Sequence, residues 1–184
     1  LSVSIRTEAI KSLGNIDEII FPARARSDDT FGSSPYIPYD RFQQLTAEIA
    51  EVELIDGLMP VIDEEIPAIN PRTSLSEGSL RIVGVDPALI AGFGAFTLVS
   101  GEEVRLEDLE SNEAYITDRA ADELDAIPGD KIMVFLGEEP LSLRVKGVIN
   151  RNGLAGRDPS LLIPLGRAQT LFGRPGQINS IAVS

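Results

Sequence analysis

Between Glu113 and Ser184 the order of apolar, capping and turn residues admits few architectures. Tyr115-Ile116 reads as a short strand, and Thr117 or Asp118 caps a helix that runs to Leu124. Pro128-Gly129-Asp130 is a turn by its chemistry, with glycine supplying the positive φ. Lys131–Leu136 and Leu141–Ile149 read as strands around Gly137-Glu138-Glu139-Pro140. A loop from Asn150 to Asp158 leads to a strand at Ser160–Leu165, a helix at Arg167–Phe172 and a last strand at Ile178–Val183. Such a run builds a compact mixed sheet with helices laid on it. It carries almost no reactive side chains, which points to a domain that couples or binds.

The earlier half is less regular. Ile5, Ala9, Ile10 and Leu13 have helical spacing over Ser4–Leu13, with Gly14 as a stop. Asn15–Phe21 reads as a strand ended by Pro22, and Arg24–Pro38 as a loop. Asp40–Ala50 is predicted as an amphipathic helix, with Asp40 as its N-cap and Phe42, Leu45 and Ile49 as its stripe. Pro60 and Pro67 divide the next stretch into two short strands, about Glu53–Met59 and Ile66–Ile69, followed by a loop over Asn70–Glu77. Leu80–Val85 is a strand, Gly92–Ala95 a flexible link, and Val104–Leu109 a short element. The strand-helix-strand order at Ile16–Leu54 echoes that at Leu161–Val183.

Composition removes whole classes of chemistry. The chain has no histidine and no cysteine, so a Ser-His-Asp triad, a thiolate nucleophile, a disulfide and a sulfur-ligated metal are excluded. At 184 residues with 43% hydrophobic content it can bury a core and fold alone. The net charge of −13 is spread over both halves, a field that repels phosphate backbones and disfavours nucleic acid. The longest uncharged stretch, Pro87–Gly101, holds 15 residues, short of the roughly 20 that a membrane helix needs. The start, Leu-Ser-Val-Ser-Ile-Arg, lacks the features of a signal peptide. The ends read as cut from something longer, as a loop between two membrane helices would be.

Candidate sites are sparse. Asp63-Glu64-Glu65 is the densest acidic cluster, but neighbours on an extended chain point to opposite faces and do not converge on one ion. It reads as a solvated loop, as do Asp28-Asp29, Glu102-Glu103 and Glu138-Glu139. Gly92-Phe93-Gly94-Ala95-Phe96 lacks the third glycine of a dinucleotide loop, and Gly84-Val85-Asp86-Pro87 reads as a strand end turning into a helix start. Phe31, Tyr36, Tyr39 and Phe42 form either an exposed contact patch or, for Tyr39 and Phe42, part of the core. Arg151, Arg157 and Arg174 are cations in or near C-terminal loops, suited to an acidic partner or lipid head groups, or simply solvated. No cofactor or metal site is expected. The partner-contact candidates are Phe31, Tyr36, Tyr39, Arg151 and Arg157.

Several local patterns stand in a fixed order. Thr117-Asp118 opens a helix with Ala120-Ala121 and Leu124, and Gly129-Asp130 precedes a strand. Val145-Lys146-Gly147-Val148 and Leu162-Ile163-Pro164-Leu165 follow, the latter leading into Ala168-Gln169 and Leu171-Phe172-Gly173. Ile178-Asn179 with Ile181 and Val183 closes the chain, and Val83-Gly84-Val85-Asp86-Pro87 lies upstream. Together these patterns resemble the extracytoplasmic core domain of FtsX/MacB-like ABC transporter permeases. The resemblance implies an α+β fold, a two-lobed mixed α/β domain. One lobe is discontinuous, 1–79 plus 141–184, built of strand-helix-strand units. The other, 80–140, is inserted. It further implies a non-catalytic part of a membrane protein on the extracytoplasmic side, coupling cytoplasmic ATP hydrolysis to export or mechanical signalling. The implied partners are the membrane-embedded rest of the permease, a cytoplasmic ATP-binding subunit or domain, an adaptor, lipoprotein or exported substrate, and a second copy in the full transporter. A stand-alone secreted ligand-binding module and a carboxylate-based hydrolase are the alternatives. Glu51–Glu77 matches no specific passage of the family.

Overall fold

Side chains alternate between the two faces of a strand, and residues 113–117, 160–163 and 180–182 are buried on both, so the sheet carries a buried layer on each face. A computed structural model describes residues 16–22, 35–49, 55–137, 139–151 and 153–184. In chain order these hold β1 (Glu18–Ile20), β2 (Ile37–Pro38), α1 (Tyr39–Glu48), β3 (Leu58–Asn70), β4 (Leu75–Val85) and β5 (Glu113–Thr117). They continue with α2 (Asp118–Leu124), β6 (Lys131–Val134), β7 (Leu141–Ile149), β8 (Ser160–Pro164), α3 (Leu165–Leu171), β9 (Gln177–Ile178) and β10 (Ser180–Val183). Short 3-10 turns lie at Pro87–Gly92, Leu106–Asp108 and Gly153–Ala155.

Eight strands run in the order β1-β10-β3-β4-β8-β5-β7-β6, and β6 returns to pair with β3. Six strands therefore close into a ring, while β10 and β1 extend from the first half of β3. The β4–β8 and β5–β7 pairs are parallel, and the other pairs of this sheet are antiparallel. Strands β2 and β9 form a separate antiparallel ribbon. Ile62, Ile82, Ile116, Leu161 and Ile163 join one core cluster, whereas Met59, Val83, Tyr115, Leu162 and Ala182 join the other. The mixed α/β class expected from sequence is the one observed.

Several elements differ from expectation for identifiable reasons. The two short strands expected around Pro60 and Pro67 are one strand, β3. Gly57 and Ser184 exchange backbone bonds of 3.2 and 3.0 Å, so two-residue alternation turns the nitrogen of Pro60 away from β10. On its other side the β4 ladder has already ended, opposite Val61. Pro67 sits at a register shift between Ile66 and Ala68, where a missing N–H costs nothing. The loop expected to reach Glu77 is a tight hairpin, and β4 starts at Leu75. Helix α1 starts at Tyr39 with Pro38 in the cap position; Asp40 stands in its first turn, where a carboxylate still complements the helix dipole. Gly92–Ala95 is not a free link, because Phe93 and Phe96 are buried in the second core cluster. The helix expected at Ser4–Leu13 lies outside the described residues.

Residues 79 and 80, where the sequence reading divides two lobes, fall inside β4, and residue 141 opens β7. Strands from both segments share the one sheet. Gly84 explains how α3 reaches it: a Cβ at residue 84 would stand 2.3 Å from that of Ala168. A bare backbone there lets the helix lie directly on β4.

Candidate partner-contact surfaces

The aromatic candidates surround β2 and the start of α1. Tyr36 is half-buried, with the Arg174 guanidinium 4.8 Å from its ring centroid. Burial raises the Tyr36 pKa, the nearby Glu64 carboxylate and the hydrogen bond to it raise it further, and Arg174 opposes the shift. The Tyr39 ring packs tilted against Phe42 at 5.4 Å. Burial, then Asp86, raises the Tyr39 pKa. Phe42 belongs to the core, and Phe31 lies outside the described residues. Tyr36 and Tyr39 are thus anchored on their inner sides and present only part of each ring. Tyr39 also lines an open cleft of about 400 Å³ with Asp40, Asp86, Leu165 and Gln169.

The arginine candidates stand on the β7–β8 connection. Arg151 pairs with Asp118 at 2.8 Å, and the Arg157 carbonyl accepts a 3.4 Å bond from Arg119. Both candidates are exposed. The aromatic pair and the arginine pair therefore belong to two sets of elements.

The acidic run Asp63-Glu64-Glu65, expected in a solvated loop, lies in mid-β3, with Asp63 and Glu64 built into the fold and Glu65 exposed. Asp63 and Arg81 form an ion pair with side chains 15% and 14% exposed. Arg81 Nη1 also approaches Asp158 to 3.8 Å. Gly156, at φ +68°, makes room: a Cβ on it would lie 2.5 Å from Arg81 Nη1. Glu64 turns elsewhere. Burial raises its pKa, opposed by hydrogen bonds from Tyr36 and Asn179.

Asn179 is a structural anchor that composition does not reveal. It sits between β9 and β10, buried, where the chain leaves one ribbon for the main sheet. Its Oδ1 accepts from the Asp63 N–H at 2.9 Å, and its Nδ2 donates to the Asp63 carbonyl at 2.9 Å and to Glu64 Oε1 at 3.1 Å. A side-chain amide thus supplies the pairing that the backbone drops at the crossover.

Two further networks escaped the sequence reading. Glu113, with its side chain 4% exposed, meets Arg144 at 2.8 Å and Lys146 at 3.3 Å, both at the solvent edge. The Glu110 N–H, then Lys146 and Arg144, hold its pKa below the ordinary value. Arg144 and Lys146 are two apart on β7, so strand alternation was the signal available for their shared face. At the β3–β4 hairpin, buried Asn70 donates to the Leu124 carbonyl and to Asp130, each at 3.1 Å, and Arg72 reaches Asp130 at 2.8 Å. Burial of Asp130 is outweighed by the Ile127 N–H, Arg72 and Asn70, which keep its pKa low. Among the described residues no group of His, Cys, Asp and Glu is placed to hold a metal ion, and no helix is long and apolar enough to cross a membrane.

Residues 3–184 match the MacB-like periplasmic core domain family. The chain belongs to that family. Comparison with curated proteins gives no match. Among solved structures, the periplasmic region of MacB from Actinobacillus actinomycetemcomitans aligns at TM-score 0.59 and 16% identity, covering 92% of this chain and 76% of that one. The extracellular domain of the noncanonic ABC-type transporter YknZ from Gram-positive bacteria aligns at TM-score 0.54 and 15% identity, covering 81% and 73%. These similarities are of fold. As a MacB-like periplasmic core domain, the chain is an extracytoplasmic domain of an ABC transporter permease, which places a membrane-embedded region beside it in the whole protein.

Proposed function

We propose that this domain is non-catalytic and couples ATP hydrolysis by a cytoplasmic subunit or domain to export, or to mechanical signalling, outside the membrane. ATP-driven tilting of the membrane helices would move it, and it would pass the movement to a substrate, adaptor or lipoprotein by surface complementarity. Tyr36, Tyr39, Arg151 and Arg157 are the proposed contact residues, and two copies would act together in the full transporter. The match of residues 3–184 to the MacB-like periplasmic core domain family supports the coupling, and the use to which four of the acids are put supports a non-catalytic role. Asp63, Glu113, Asp118 and Asp130 each pair with a cation within the fold. Such carboxylates are structural parts and are poorly placed as a general acid or base.

The test uses the full-length permease with its ATP-binding partner in lipid vesicles. Replacing residues 16–184 by a flexible Gly/Ser linker is expected to leave ATP hydrolysis running while export stops. Unchanged export would overturn the proposal. So would turnover of a compound by the purified chain that one carboxylate substitution abolishes.

A further inference from the structure

We infer that β10 is a directional mechanical junction, firm when pulled along its axis and weak when the chain passages beside it are drawn apart. Its geometry stands apart from the transporter reading, whereas its use in coupling rests on that reading.

Strand β10 is gripped on both sides. Its register with β3 runs from Ser180↔Val61 to Val183↔Leu58, and with β1 from Ile20↔Ile181 to Glu18↔Val183. The β3 side is reinforced at both ends of the strand. At one end Ser184 donates to the Gly57 carbonyl at 3.0 Å and its own carbonyl accepts from Asp56 at 2.7 Å and Gly57 at 3.2 Å. At the other the Asn179 N–H reaches the Val61 carbonyl at 3.1 Å, and its side chain spans the Asp63 backbone. The β1 side is a three-residue strand whose apolar residues face water: Ile19 is 43% exposed, Ile20 42% and the following Phe21 61%.

The antiparallel registers put the beginning of β1, the beginning of β3 and the end of β10 at one end of the sheet, with the β3–β4 hairpin at the opposite end of β3. Ladder bonds lie perpendicular to the strands. A pull on Ser184 directed away from the hairpin slides β10 along β3 and strains all of those bonds together. A pull that separates Asp17 from Ser184 opens the β1–β10 ladder one bond at a time, beginning with the 2.8 Å bond from Asp17 N–H to the Val183 carbonyl. Axial motion at the end of β10 therefore passes into the ring through β3. Lateral motion of the two passages instead releases β1.

Single-molecule force spectroscopy separates the two regimes. The chain lacks cysteine, so a Ser74→Cys or Asp17→Cys handle is unique and is paired with a C-terminal handle after Ser184. Pulling between residues 74 and 184 is expected to need a force at least about twofold greater than the first opening event between residues 17 and 184. Asn179→Ala, first shown to be folded by circular dichroism, is expected to lower the first force and leave the second unchanged. Equal forces in the two geometries, or an equal fall in both with Asn179→Ala, would overturn the inference. These outcomes do not depend on export, so failure of the junction and failure of the permease reading are read separately.

Discussion

Six strands form a ring in which each pairs with two others, β6 closing back onto the far part of β3; from the near part of β3, β10 and β1 lead out to a short strand with half-exposed apolar residues. Closure removes the unpaired amides and carbonyls that an edge exposes and lets each ring strand lean on two neighbours. Among the described residues this flap of β10 and β1 has one neighbour fewer at β1, and it is held to the ring by the β10–β3 ladder, reinforced by Ser184 at one end and Asn179 at the other. One sheet thus holds both a closed body and an open margin, and the margin has fewer bonds to break before it opens locally.

The largest effect is expected in the ring. Leu161 is fully buried in β8, and Leu161→Ala should destabilise the chain by about 2–5 kcal/mol in urea unfolding. A loss below 1 kcal/mol, on the order of a surface change, would break the contrast. At the joint, Asn179→Ala leaves the Asp63 amide and carbonyl unpaired and should cost about 1–3 kcal/mol. No measurable loss would mean that the ladder alone holds the flap.

Acid should sharpen the distinction. Glu113, between ring strands β5 and β7, has a folded pKa below its ordinary 4.5. Its contribution is complete above that value and disappears as pH falls through the lowered one. Glu64, at the joint, has a folded pKa above 4.5, so its contribution is complete below 4.5 and disappears as pH rises through the raised one. Glu113→Gln should flatten the fall in Tm on acidification, and Glu64→Gln should abolish the fall in stability that ionising Glu64 causes as pH rises above 4.5. Matching pH profiles for the two variants would dissolve the distinction. The smallest effect belongs to the margin, where Phe21→Ser should change stability by less than about 0.5 kcal/mol. A large loss there would place Phe21 in a packed surface.

The legible parts of this fold were those decided by near neighbours. Strand β5 followed by α2 could be read because Thr117 caps the helix through the Ala120 amide three residues on. The tight turn before β6 could be read because Gly129 carries the positive φ that its chemistry demands. Strand β3 could not be read whole, since Pro60 and Pro67 argue locally for breaks and only the partners on either side make them harmless. The closing β3–β6 pair joins Ala68 to Val134, a distant contact with no local mark. The same holds for the polar joints: Arg81 and Asp63 are 18 residues apart, and Asn179 and Asp63 are 116 apart. Of the proposed contact residues, Tyr36 and Arg151 were visible as an aromatic and a cation beside loops, but their pairing with Glu64 and Asp118 was not.

Hydrogen exchange under native conditions tests the rigid ring and pliable margin most directly. Three amides report the difference: Asp17, just before β1, which bonds to Val183; Asn179, which bonds to Val61 of β3; and Val145, which bonds to Asp130 beside β6. Asp17 is expected to exchange at least about tenfold faster than Asn179 and Val145, through a local opening that leaves the other two closed. Equal protection at all three would show that the sheet opens as a single unit and would contradict this account.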